Sequence, residues 1–174
     1  MTEQMTSNGP QAGRFRADFP AGTVVFLIGM RINQAWNVPK WGPVAAAMGP
    51  MLVELGKNPE LGMLGATSWL GWRSVMVQQY WASIEQLMAY ATSRDAAHLP
   101  AWKRFNSRVG HENPSVGIWH EAYVVDPETS HIVYVNMPPF GMARATFNRP
   151  AHSMGQQPIH RRGAPTDNGV AMSE

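Results

Sequence analysis

Few side chains in this sequence can move a proton or hold an anion near neutral pH, and their spacing limits which of them can act together. His98 stands two residues before Pro100, and with helical spacing it shares a face with Trp102, Phe105 and Val109. As a neutral imidazole it could serve as a base near physiological pH or as a haem ligand, or bond backbone at a helix start. His120 and Glu121 are adjacent, so on a strand they point to opposite faces and cannot work as a pair. His120 has the parity of Ile118, Ala122 and Val124, which favours a hydrogen-bonded core histidine. Glu121 has the parity of Trp119 and Tyr123, a set able to line a wet cavity. Arg31 and Asn33 share a face beside Gly29, where a forked guanidinium and an amide could bind an anionic oxygen or form an interface ion pair. Trp81 and Trp102 are candidates to stack on a flat ligand, with core packing the plainer alternative.

These residues need a scaffold, and the hydrophobic pattern supplies one. Thr23 to Asn33 reads as a strand buried on both faces, dominated by β-branched and large apolar residues. Pro39 to about Leu55 has helical spacing, with Pro50 expected to kink or interrupt it. Leu61 to Trp69 and Val75 to Trp81 read as a hairpin around Gly71. Ser83 and Gln86 form a capping-box pattern ahead of a helix to Tyr90, and a third helical piece runs from Pro100 to about Arg108. Val116 to Val125 and His131 to Met137 are strands around a turn at Asp126 and Pro127. Strand, helix, strand, strand, helix, strand is the order of an α+β, ferredoxin-like antiparallel sheet with its helices on one face. The other face then needs a cover, and a second copy of the chain is the expected one.

Composition sets the outer limits. The chain has 174 residues and 44% are hydrophobic, enough for one domain with a real core. Residues 1–22 and 142–174 lack sustained apolar periodicity and are expected to be flexible ends around a folded unit at 23–141. The folded unit carries as many acidic as basic residues, which gives little reason to expect a nucleic-acid partner. With no cysteine, thiolate chemistry and sulfur-rich metal sites are excluded. No apolar stretch approaches the length of a membrane helix and no charged start leads into a signal sequence, so a cytoplasmic protein without a membrane partner is expected. Seven Trp and twelve Met suit an apolar ligand cavity, a subunit interface or dense core packing.

The strings FLIGMRIN, VQQYWASIEQLMAYA, HLPAWKRFN, VGIWHEAYVV and YVNMPPFG resemble a family of monooxygenase-like proteins related to a fumagillin-pathway monooxygenase. That family is similar to the dimeric α+β barrel superfamily, which includes antibiotic-biosynthesis and haem-degrading monooxygenases. The resemblance implies a homodimer that oxidises an apolar aromatic or polyketide-like substrate with dioxygen and no cofactor, in a cavity between sheet and helices. In that scheme His98 removes the substrate proton while Arg31 and Asn33 hold the anion. Haem-degrading members use an Asn on the first strand, an aromatic on the helix after the third strand and a His beyond it. Asn33, Tyr90 and His98 fall near those positions, with Tyr90 where those members have Trp and a shorter spacing to His98. A haem enzyme with His98 or His120 as axial ligand is therefore one alternative, and a non-catalytic ligand-binding dimer module is another.

Overall fold

The apolar run at 23–32 becomes the strand around which the rest is built. The structure, a computed structural model, describes residues 9–93 and 114–151. Strand β2 (Thr23–Ile32) pairs antiparallel along most of its length with β4 (Ser74–Trp81) and along all of it with β5 (Val116–Val125). β3 (Met63–Gly71) completes a four-stranded sheet in the order β3-β4-β2-β5. Helix α1 (Val38–Lys57) connects β2 to β3, and α2 (Ile84–Thr92) follows β4. A central strand with a partner on each edge and layers over both faces has no solvent side, which is why its sequence is continuously apolar. All neighbours are antiparallel, so the fold is ferredoxin-like α+β, as the element order predicts.

Local chemistry explains the element ends. The Ser83 hydroxyl accepts from the Gln86 amide at 3.3 Å and starts α2, as the capping pattern requires. The β3–β4 turn falls on Trp72 and Arg73, and Arg73 takes a left-handed backbone (φ 60°). Its guanidinium offsets that strain by donating to the Ile32 carbonyl at 2.7 Å and to the Asn33 carbonyl. The interruption expected at Pro50 does not occur, and α1 runs unbroken through Pro43 and Pro50. Pro50 and Ala46, whose carbonyl loses its helical donor, are both exposed, so water can satisfy the freed carbonyl.

The core divides by sheet face. On one side Val24, Leu55, Trp81 and Leu87 pack together beneath both helices, and Met30 and Val116 pack with Trp41, Val44 and Ala45. On the other side Phe19, Tyr80 and Met142 form a cluster with Val25, Val125, Ile132 and Ala145. For the described residues 9–22 and 142–151 that second cluster replaces the expected flexible ends with packed structure, while 1–8 and 152–174 lie outside the described residues. Residues Arg14–Asp18 form β1, Val133–Val135 form β6, and Phe147–Pro150 form β7, paired in the order β6-β1-β7. A short helix, α3 (Gly141–Ala145), precedes β7. The chain's own ends thus cover part of the face that a second copy was expected to cover alone. The strands there are short and polar, so they carry no periodic signal, and long-range pairing rather than local propensity fixes them.

The same side contains a close approach at Gly29. A Cβ on Gly29 would lie 2.9 Å from ring atoms of the Trp119 indole, which lies across β2 from its paired position on β5. Two stability measurements follow from this packing. Met142 is 1% exposed, so Met142→Ala should lower the unfolding free energy by about 2–5 kcal/mol in urea titration. A loss within about 0.5 kcal/mol would mean that the C-terminal layer is not part of the cooperative unit. Gly29→Ala should cost about 1–3 kcal/mol by overpacking, and Trp119→Ala in the same chain should relieve most of that cost.

Candidate functional site

The strand register sorts the ionisable residues into two groups. Facing the helices are Phe26, Ile28 and Met30 of β2 and Ile118, His120 and Ala122 of β5. His120 sits opposite Ile28, and its ring centroid is 6.0 Å from that of Phe26. It is exposed and, among the described residues, makes no hydrogen bond. The core histidine favoured by its apolar parity is therefore not what the fold builds. Among the described strand residues on this face, His120 is the one ionisable side chain, set on a floor that is apolar except for Gln79 and Ser68.

The neighbouring aromatic residues are structural. Trp81 is 0% exposed and its indole N–H donates to Gln79 Oε1 at 2.9 Å, so it forms the core and cannot stack on a ligand as the sequence allowed. Tyr90 packs against it with ring centroids 5.7 Å apart and donates its hydroxyl to Glu54 Oε2 at 2.9 Å. Burial and, next, that bond to Glu54 push the Tyr90 phenol well above its ordinary range, so it stays protonated and works as a fixed donor. Through Trp81, Tyr90 and Glu54 the sheet, α2 and α1 are tied together. Tyr90 also borders a cleft of about 440 Å³ whose walls mix polar residues such as Glu54, Asn58 and Gln86 with Leu61 and Ala89.

Arg31, Trp119, Glu121 and Tyr123 lie on the opposite face of the sheet. The Tyr123 hydroxyl donates to Glu121, a bond that raises the phenol's pKa. On the same face Tyr80, buried beside Tyr134, is pushed up to about 12, first by burial and then by the Tyr134 phenol. Arg31 is exposed there, paired in register with Ser74 and Gly117. The sheet therefore separates Arg31 and Glu121 from His120, and Arg31 cannot hold an anion in the cavity on the helix side. Asn33 lies beyond the end of β2. Its side-chain amide donates to the Pro114 carbonyl at 2.9 Å and its backbone N–H to the Ser115 carbonyl at 2.9 Å, so it anchors the start of β5. His98 and Trp102 fall outside the described residues. Among the described residues no three His, Asp or Glu side chains gather into a metal-binding group.

Sequence reasoning missed Gln79 and Glu54, the partners that fix Trp81 and Tyr90. A Gln on the parity of Trp81 and Val77, within a buried strand, was the available signal, because a buried amide needs a partner.

Comparison with known proteins adds a family and distant structural likenesses. No curated protein matches the chain. SnoaB, a cofactor-independent oxygenase from Streptomyces nogalater, is similar in structure at 11% identity, over 61% of this chain and 95% of that one, with a TM-score of 0.44. A dimeric protein of unknown function with a ferredoxin-like fold from Bacteroides fragilis is similar at 12% identity, over 60% and 100% of the two chains, with a TM-score of 0.42. The model of the Monooxygenase af470-like family matches residues 23–142, from the first residue of β2 into α3 and so across the entire four-stranded sheet, and the chain belongs to that family.

Proposed function

We propose that this protein is a small oxygenase that needs no cofactor and oxidises an apolar aromatic or polyketide-like substrate with dioxygen. The observation that carries the reading is His120, an exposed imidazole on the mostly apolar helix-facing side of the sheet, without a side-chain hydrogen bond among the described residues. A flat substrate lies over Phe26, Ile28 and Ala122 with an acidic C–H toward the imidazole. His120 takes that proton, and the resulting electron-rich carbanion reduces dioxygen. One oxygen atom is retained at the carbon and the other leaves as water, so a CH₂ group becomes a carbonyl and the substrate itself supplies all the electrons. Substrate seated on this floor displaces water from around the anion. His98, from the segment between α2 and β5, is the second candidate for the proton-accepting role.

The functional unit in this reading is a homodimer joined through the opposite face of the sheet. Trp69 and Tyr123 on that face are 42% and 50% exposed, beside Met76 and Trp119, and the chain's own β1, α3 and β7 cover only part of the face. Large aromatic residues left half open in this way are best satisfied by a second copy.

Oxygen uptake by the purified full chain on polyketide-like and phenolic compounds tests the assignment. His120→Ala should slow uptake by roughly 10²-fold or more while leaving the circular dichroism spectrum unchanged. A comparable loss in His98→Ala, with His120→Ala unaffected, would move the base to His98, and full activity in both variants would contradict base catalysis by histidine. A Soret band that saturates at one haem per chain and shifts in either variant would replace this reading with the haem enzyme. Substrate affinity without any oxygen uptake would leave a binding module.

A further inference from the structure

One end of the sheet carries an exposed apolar group that neither the helix-side floor nor the half-covered opposite face uses. Trp72 at the β3–β4 turn is 92% exposed, Leu70 just before it 84%, and Trp36 in the β2–α1 loop 81%. These positions belong to one end of the molecule. The Ile32 N–H donates to the Arg73 carbonyl at 2.7 Å, and the Arg73 guanidinium returns bonds to the carbonyls of Ile32 and Asn33, so the turn is fastened to the start of the loop that holds Trp36. The loop in turn is fixed by Asn37, whose amide donates to Ser115 Oγ at 3.1 Å, while Ser115 Oγ donates to Gln34 Oε1 at 2.9 Å. Two indoles and a leucine are thus held outward by backbone and side-chain bonds that do not involve the exposed rings themselves.

Among the described residues, the charge at this end has one sign. The segments 31–41, 68–76 and 114–118 contain Arg31, Lys40 and Arg73 and no Asp or Glu. Indoles sit at the boundary between lipid headgroups and acyl chains, where the ring is dry and the N–H wet, and neighbouring cations favour anionic headgroups. We propose that this end docks on an anionic lipid surface, with Trp36, Leu70 and Trp72 entering the headgroup layer and Arg31 facing the phosphates. No helix of the described residues is long and apolar enough to cross a membrane, so the contact is peripheral. A surface of this kind would let the protein meet an apolar small molecule where such molecules concentrate. Docking itself does not depend on the oxygenase reading.

Co-sedimentation and tryptophan fluorescence with vesicles test it on the full chain. Vesicles of equal parts phosphatidylcholine and phosphatidylglycerol should bind the protein with a blue shift in emission, and pure phosphatidylcholine should bind it far more weakly. The paired substitution Trp36→Ser with Trp72→Ser should lower partitioning roughly tenfold or more, as should Leu70→Ser alone, while Val53→Ser, at an exposed apolar site on α1, should not. Raising salt several-fold should weaken binding by screening. Absence of binding to the anionic vesicles, or equal binding by the wild-type and paired-variant chains, would overturn the proposal. A fall in sedimentation mass in the paired variant, with vesicle binding unchanged, would overturn it in favour of a contact between copies of the chain.

Discussion

The alternation of side chains along β2, held on both edges by hydrogen bonds, is the constraint on which the rest of the molecule depends. β2 pairs with β5 at every residue and with β4 at nearly all of them, so a slip of one residue would have to break two ladders at once. Such a slip would send Val24 and Met30 away from the helices and bring Val25 and Arg31 beneath them. Fixed register therefore does more than build a core. It decides that His120 shares a face with Phe26 and both helices, and that Arg31, Trp119 and Glu121 do not.

Two layers then share the burial of the sheet. The helix side is packed at both ends, by Val24, Leu55, Trp81 and Leu87 at one and by Met30, Val116 and Trp41 at the other, while His120 remains open on β5. The opposite side is sealed at one end by Phe19, Tyr80 and Met142. Part of the unusual tryptophan and methionine content is accounted for by this packing, since Trp81, Met30 and Met142 are core. Another part, Trp36 and Trp72, is held outward at one end of the sheet. The same residue type thus serves interior packing and surface contact, and composition alone could not divide the two.

What the sequence made legible was whatever rests on local periodicity or capping. The bounds of β5 and the start of α2 follow from an apolar run and from Ser83 with Gln86, and the strand and helix order gives the ferredoxin-like topology. What it hid rests on contacts distant in the chain. β1 and β7 are short and polar and exist because they pair with each other across more than a hundred residues, beside the Arg149 and Asp18 ion pair. Pro50 looked disruptive because its tolerance depends on Ala46 facing water, which is a tertiary fact. The site was legible as a set of residue types and only partly as an arrangement. Parity correctly set His120 and Glu121 on opposite faces, but it could not tell that His120 stays exposed, that Trp81 is sealed by Gln79, or that Asn33 is occupied by the Pro114 carbonyl.

Cofactor-free oxygen chemistry makes a strict demand on stoichiometry, because the substrate must supply every electron. The most direct measurement is a turnover in labelled dioxygen with the purified, metal-free and haem-free chain and a polyketide-like compound that carries an acidic CH₂ group. The proposed reaction predicts one labelled oxygen atom in the oxidised carbonyl, one in water, one dioxygen consumed per product and no hydrogen peroxide. Product formation that requires added haem, or label absent from the newly oxidised carbon, would contradict it.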